Sequence, residues 1–273
     1  MAAPHRVLLL GGHGKVAQLL TPLLLRRAWD VTSVIRSAEQ VPAVQRLADT
    51  AVVGDANNGH SLPMGKLNVL VRSLEEVKSE GDAKKVLEEV GADYIVWSAG
   101  AGGKGGPERT YAIDRDAATH FIRAAASTPT VTRFLMISYL GSRRSKPAWW
   151  SDDAWRAAEE VNTKVLSHYY AAKLAADELL YAVSKERSGF VGIDLRPGTL
   201  TLDAAGKVEL GKTKHSRGNV SRESVARVAD LLLASEDLKS AWLDLLDGEE
   251  EMEQAVQRVV REGVDAAEGG DFF

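Results

Sequence analysis

The sequence predicts an α/β fold, a doubly wound parallel sheet with helices on both faces, and three observations predict it. Short apolar runs bounded by glycine alternate with longer segments of helical period. The first of these runs, Arg6–Leu10, is continuously apolar rather than alternating, as expected of a strand buried on both faces. A cluster of glycines, Gly11, Gly12 and Gly14, stands between that strand and the first helix.

Taken in order, Arg6–Leu10 reads as strand one and Lys15–Arg27 as a helix with an apolar stripe of Val16, Leu19, Leu20, Leu23 and Leu24. Asp30–Ile35 is the second strand and Ala38–Leu47 a short helix. Both AVVG at 51–54 and LNVLV at 67–71 qualify as the third strand. Leu67–Ser73 is preferred, since a helix at Asp82–Val90 and a strand at Asp93–Ser98 then follow at ordinary spacing, leaving 55–66 as a loop. Helix Arg109–Ser127, strand Arg133–Ser138, a long helical stretch from Asp153 to Lys185 and strand Phe190–Leu195 come next. Helices at Arg222–Ser235 and Glu249–Arg261 close the chain. No repeat or linker divides it, so one domain over 1–273 is expected, with a core at about 5–200 and substrate-side elements over 199–273.

Composition narrows the function classes. The 273 residues are 45% apolar with a net charge of −4, so no broad basic face is offered to nucleic acid or anionic lipid. The clusters Arg143-Arg144 and Lys212 to Arg217 read as solvated loops. There are no cysteines, which excludes disulfides, thiolate metal sites and a Cys nucleophile, and the six histidines show no metal-ligand spacing. No stretch approaches the roughly 18 apolar residues needed to span a bilayer, so a cytoplasmic protein acting on a small molecule is expected. The terminal EGGDFF offers two phenylalanines able to dock on the body or on a second subunit of a homo-oligomer.

The turn VLLLGGHGKVAQLL carries the first chemistry. Read as G-x-x-G-x-x-A, it places Gly11 and Gly14 where a pyrophosphate can approach main-chain N–H groups at a helix N-terminus, and Ala17 where the helix packs closely on the strand. Its position after strand one of an alternating chain points to dinucleotide binding by Gly11, Gly12, His13, Gly14, Lys15 and Val16, with His13 a hydrogen-bond donor in the turn. Strand two ends in VIRS. An acidic residue there would hold the ribose hydroxyls of NAD; Arg36 stands there instead and suits a 2′-phosphate, with Lys15 as a second charge. NADP(H) is therefore expected in preference to NAD(H).

GGHGKVA, VIRS, WSAGAGGKGG, AIDRDAA, FLMISYLGS, YYAAK, LRPGTLT and NVSRESVARVADLLL occur in an order that resembles the short-chain dehydrogenase/reductase superfamily. They are most similar to its atypical branch, the NAD(P)H-binding proteins like NmrA-like proteins and flavin/biliverdin reductases. The resemblance covers about residues 5–245 and implies a Rossmann-like sheet with the cofactor across its C-terminal edge. It implies that Ala99 and Gly100 line the cofactor after strand four and that Pro197 and Gly198 pass near the nicotinamide. Two positions depart from the family pattern. Ser73 occupies a place often held by Asp beside the adenine, and Ser138 is followed by Tyr139 rather than a second small hydroxyl residue.

Tyr-x-x-x-Lys occurs twice, as Tyr169 with Lys173 and Tyr181 with Lys185. In the family a tyrosine gives a proton to the substrate carbonyl while a lysine on the same helix face eases its ionisation and binds the ribose, and a serine holds the substrate oxygen. The resemblance puts these roles on Tyr169, Lys173 and Ser138, with Ser142 as an alternative hydroxyl. The second pair lies twelve residues further along, about 18 Å toward the wrong edge of the sheet at 1.5 Å per residue, and reads as a surface pair. Tyr170 points about 100° away around the helix and is expected to pack. Pocket walls are expected from 140–160 and 199–220, with Trp149 and Trp150 as an apolar lining, and Lys104 in the glycine-rich 99–106 loop near a phosphate or substrate acid.

Three functions remain open at this point. The first is an NADP(H)-dependent oxidoreductase moving a hydride between nicotinamide and a small carbonyl-type substrate. The second is a non-catalytic NAD(P)-binding redox sensor similar to NmrA. The third is a nucleotide-sugar epimerase or dehydratase, ranked last because only about 75 residues follow strand six.

Overall fold

The computed structural model describes residues 4–51, 64–102 and 105–267. All of the AVVG run but Ala51, most of the 55–66 loop, Lys104 and the terminal EGGDFF lie outside the described residues.

In chain order the elements begin β1 (Arg6–Leu10), α1 (Lys15–Arg26), β2 (Asp30–Ile35), α2 (Val41–Gln45), α3 (Leu47–Ala51), β3 (Leu67–Val71), α4 (Glu80–Val90) and β4 (Tyr94–Trp97). There follow α5 (Gly106–Thr110), α6 (Ala118–Ser127), β5 (Arg133–Ile137), α7 (Asp152–Glu160), α8 (Ser167–Glu186) and β6 (Val191–Pro197). The chain continues through β7 (Thr199–Thr201), β8 (Val208–Gly211), β9 (Asn219–Ser221), α9 (Arg222–Ala234), β10 (Ala241–Asp247) and α10 (Met252–Glu262). Among the described residues eight strands form one sheet in the order β3-β2-β1-β4-β5-β6-β10-β8, with β7 and β9 as a separate parallel pair. Every ladder of the main sheet is parallel except that of β8 with β10.

Both faces of the sheet are covered, which is why its strands are apolar at consecutive positions. Along β1, Val7 and Leu9 join α1, α9 and α10 in one core, and Leu8 and Leu10 join α4, α6 and α8 in the other. All four are fully buried, each side chain contributing about 1.5–3 kcal/mol by leaving water. Strand order reverses between β1 and β4, and the C-terminal ends of these strands border the crevice where open α/β sheets bind ligands.

Three differences from the sequence reading affect the site. The helix expected at Ala38–Leu47 is broken into a 3₁₀ turn at Ala38–Gln40 and the short α2 and α3, with Pro42 at the start of α2. The long helix expected over Asp153–Lys185 is interrupted: a π-helical turn at Val161–Val165 leads to Leu166 at φ −115°, ψ 24°, and α8 begins afresh at Ser167. Val161, Thr163 and Val165 are β-branched, poor helix formers, and the Asn162 side chain between them is drawn off to the Gly141 carbonyl at 2.7 Å. Finally, the core does not stop near residue 200, because β10 extends the parallel sheet beside β6 and β8 closes that edge.

Among the described residues no helix is long and apolar enough to cross a membrane.

Candidate active site

The first cleft lies over the C-terminal ends of β1, β2 and β4 and has a volume of about 240 Å³. Gly14 precedes α1 in extended conformation and provides no side-chain cap, and no acidic residue stands in the helix's first turn. The orphan N–H groups and positive end of α1 are thus left for an anion. The three glycines serve different ends. Gly11 sits at φ +84°, where a Cβ would lie 2.6 Å from Ala99 Cα, and Gly12 presses on β2, where a Cβ would come 1.7 Å from Ser33 Oγ. Gly14 borders the cleft, and a Cβ there would stand 3.0 Å from the Gly11 carbonyl oxygen and 3.5 Å from that of Ser98.

Of the residues singled out from sequence, Gly11, His13, Gly14, Arg36, Ser73, Ala99 and Gly100 line this cleft. Gly12 and Lys15 do not, and Val16 turns into the core. Sequence reasoning missed Arg72 and Arg109, which join Arg36 on the wall. Arg72 is paired with Glu89 at 3.0 Å and Arg109 with Glu75 at 2.9 Å. Arg36 is exposed and forms no ion pair among the described residues. Ser73 accepts a hydrogen bond from Glu75 N at 3.3 Å, starting a 3₁₀ turn.

A second cavity of about 390 Å³ opens beyond β5 and β6, with Tyr139, Tyr169, Pro197 and Gly198 among its lining. The break at Leu166 puts Tyr169 in the first turn of α8, at the sheet's C-terminal edge. Its ring packs against Tyr139 with centroids 5.2 Å apart, and its hydroxyl has no hydrogen-bond partner among the described residues. The Tyr139 hydroxyl donates to Asn162 Oδ1 at 2.9 Å. Burial, then the charges of Asp114, Asp177 and Asp194, push the Tyr169 phenol above its ordinary value. Tyr169 therefore keeps its proton.

Lys173 is buried one turn further along α8 and donates to the Ile137 carbonyl at 3.0 Å. Asp114, which the sequence reading did not single out, lies in a π-helical turn at Tyr111–Ala117. Its Oδ2 accepts from Ala101 N at 2.9 Å, fixing the backbone after β4, and burial raises its carboxyl despite the opposing charge of Lys173. Its signals in sequence were the AIDRDAA motif and an acid inside an otherwise apolar helix face.

Ser138 directly follows β5, where the sequence reading placed it, and its hydroxyl is engaged within the fold. It is 4% exposed and donates to Asp177 Oδ2 at 2.6 Å, as does Ser142 at the same distance. Asp177 is one corner of a buried charge cluster. Arg196 Nη1 reaches Asp194 Oδ2 at 2.9 Å and Asp177 Oδ2 at 3.2 Å, while its Nε reaches Asp244 at 3.3 Å. Arg143, expected in a solvated loop, is buried, holds both oxygens of Asp244 at 2.6–2.7 Å, and stands between Trp149 and Trp150. Those tryptophans pack over this cluster rather than lining the pocket. Tyr170 donates to the Arg143 carbonyl at 2.9 Å.

The Tyr181–Lys185 pair sits at the far end of α8 and anchors the C-terminal segment. Tyr181 donates to Asp265 Oδ2 at 2.8 Å, and Lys185 donates to the Ser240 carbonyl at 3.1 Å.

A glycine turn on an uncapped helix, at the switch point of a parallel sheet, suits a dinucleotide, and the chain's likeness to known proteins bears on this. Residues 11–236 match the model of a family described as NAD(P)H-binding. The chain belongs to that NAD(P)H-binding family. Among curated relatives it is 29% identical to the UPF0659 protein C216.03 of Schizosaccharomyces pombe, over 93% of this chain and 94% of that one. It is 27% identical to the uncharacterized sugar epimerase YhfK of Bacillus subtilis, over 93% of this chain and 100% of that one. Among solved structures, a Bacillus halodurans protein described as an NAD-dependent epimerase/dehydratase superposes with a TM-score of 0.71 at 24% identity, covering 93% of this chain and 99% of the other, which establishes the Rossmann-like fold.

Proposed function

We propose that this member of the NAD(P)H-binding family is an NADP(H)-dependent oxidoreductase that reduces a small carbonyl compound, with Tyr169 as the proton donor. The observation that carries the reading is the Tyr169 hydroxyl, unpartnered and neutral, in a cavity that also contains Pro197 and Gly198. The first cleft fits the cofactor: Gly14 leaves the space a Cβ would fill, and the first turn of α1 has no internal cap. Gly11, His13 and Gly14 would hold the pyrophosphate, Arg36 the 2′-phosphate, Ser73 the adenosine side, and Ala99, Gly100, Pro197, Gly198 and Lys173 the nicotinamide riboside. Bound NADPH supplies the hydride. Tyr169 gives its proton to the carbonyl oxygen, and the Lys173 ammonium sustains the phenolate left behind. Tyr139 holds the Tyr169 ring in place, and the apolar walls exclude water from the reacting carbonyl.

Tyr169→Phe tests this reading. The substitution keeps the contact with Tyr139 and breaks no hydrogen bond within the fold, so stability and NADPH affinity should stay near those of the parent. Turnover of an aldehyde, ketone or quinone, followed by NADPH oxidation, should fall by about 10²- to 10⁴-fold. Parent-like turnover in this variant would remove Tyr169 from the chemistry.

A second reading, a catalytically silent NAD(P) sensor, is favoured by one observation. The Ser138 hydroxyl and one Lys173 donor are committed inside the protein. A parent that binds NADPH but oxidises it against no aldehyde, ketone or quinone supports that reading. The epimerase name of the Bacillus subtilis relative supports the third, which the pocket chemistry disfavours for the reason given next.

A further inference from the structure

We infer that the second cavity takes a substrate with an apolar body and a single acid group, and that Arg217 is the residue that binds the acid. This rests on the reading of Tyr169 as proton donor and names the class of carbonyl compound it serves. The walls between the two ends of the cavity are Leu140, Ala158, Val161, Leu166 and Pro197, which suit a ring or branched hydrocarbon. Most polar side chains around them are already engaged. Tyr139 donates to Asn162 Oδ1, Asn162 Nδ2 donates to the Gly141 carbonyl, and Ser216 Oγ donates to the Ala154 carbonyl at 2.6 Å. What remains for a ligand is the Tyr169 hydroxyl, the Thr199 hydroxyl and the Arg217 guanidinium, none with a hydrogen-bond partner among the described residues.

Arg217 is exposed, but its backbone is fixed from both sides. Ser216 is tied to α7 by the bond just named, and the Gly218 carbonyl accepts from Thr199 N at 2.8 Å, beside the pairing of β7 with β9. Glu160 feels its charge, but that carboxylate is already paired with Lys164 at 2.9 Å. An arginine held at the mouth of an apolar cavity with no internal anion presents a planar fork suited to a carboxylate. A nucleotide sugar would bring two phosphates and several hydroxyls to a wall with one cation and few free polar groups. Such a ligand would leave most of its polar atoms unpaired.

The test is a binding titration with 2-naphthoate and its neutral isostere 2-naphthamide, by tryptophan fluorescence or calorimetry, with and without NADPH. The acid should bind about ten- to hundredfold more tightly than the amide, the range of one charge-assisted hydrogen-bond pair. Arg217→Ala should erase that preference while leaving amide affinity unchanged, and Arg217→Lys should restore part of it. NADPH affinity should be the same in all three proteins, because Arg36 and the glycine turn lie in the other cleft. Equal affinity for acid and amide in the parent, an acid preference that survives Arg217→Ala, no binding of either probe, or tighter binding of UDP-glucose than of naphthoate would each overturn the inference. A parent that shows the acid preference without NADPH but fails to bind NADPH would leave Arg217 standing and remove the oxidoreductase reading instead.

Discussion

Asp194 offers a prediction whose size follows from the charge cluster beneath the site. Three carboxylates, Asp177, Asp194 and Asp244, face two guanidiniums, Arg143 and Arg196, with Lys173 nearby on α8. Asp177 Oδ1 and Asp194 Oδ1 are buried without partners, although the same Arg196 nitrogen holds the other oxygen of each acid. Burial first, and then the charge of Asp177, push the Asp194 carboxyl up to about 7, against the pull of Arg196 and Lys173. Its unfolded value is near 3.9. Between these values the folded chain holds a proton that the unfolded chain has released. The stabilisation is therefore complete below the unfolded value and is lost as pH rises through about 7. Asp194→Asn carries a permanently neutral side chain of the same shape and removes this dependence. Between about pH 5 and about pH 8 the variant should gain on the parent by at most about 3 kcal/mol, at 1.36 kcal/mol per pH unit over which the proton is held. For a chain of this length that is roughly 5 °C in Tm. Thermal melts of both proteins across the range supply the comparison, and pH effects common to both cancel in the difference. A Tm difference that stays constant from pH 5 to pH 8 would show that Asp194 is ionised throughout and that the reasoning is wrong.

Two further outcomes concern the cofactor cleft. Arg36→Ala should weaken NADPH binding by about ten- to hundredfold and leave NADH affinity nearly unchanged, because it removes the one charge-assisted contact proposed for the 2′-phosphate. Fluorescence titration with both dinucleotides checks this, and equal losses for the two would argue against a 2′-phosphate contact. Gly14→Val should abolish binding of either dinucleotide with little change in circular dichroism, since its side chain would occupy the space between the Gly11 and Ser98 carbonyl oxygens and the helix start.

The parts legible in the sequence were those decided by local pattern. Strands β1, β4 and β5 declared themselves because consecutive apolar residues bounded by turn signals have few other uses, β3 was picked from two candidates by spacing, and VLLLGGHGK announced the turn because glycine there has a steric purpose. What escaped depended on partners distant in sequence. AWLDLLD was not read as a strand, since Asp244 and Asp247 interrupt the apolar run; Asp244 is nevertheless fully buried because Arg143 and Arg196 come to it from other elements. Arg143 looked like a solvated loop residue for the same reason, its three tryptophan neighbours being spread over residues 149–242. The interruption of the helix at Leu166 was equally hidden, because it depends on the hold of Gly141 and Tyr139 on Asn162.

That interruption and the buried cluster together explain why Tyr139, and not Ser138, lines the second cavity. A continuous helix from Asp152 to Glu186 would carry its π-helical turn and Tyr169 forward as one rod. The break at Leu166 instead starts α8 within a turn of Tyr169 and sets the Tyr169 ring against Tyr139. Ser138, one residue earlier on the same loop, donates a hydrogen bond to Asp177, which lies one turn beyond Lys173 on α8. Asp177 in turn accepts from Arg196 at the end of β6, directly before Pro197 and Gly198. The loop after β5, the helix carrying Tyr169 and Lys173, and the strand leading into the pocket wall are thus joined at a single carboxylate. Ser138 belongs to that joint. Its hydroxyl is spent there, whereas the Tyr169 and Thr199 hydroxyls and the Arg217 guanidinium have no hydrogen-bond partner among the described residues, which is why the proposed ligand contacts fall on them.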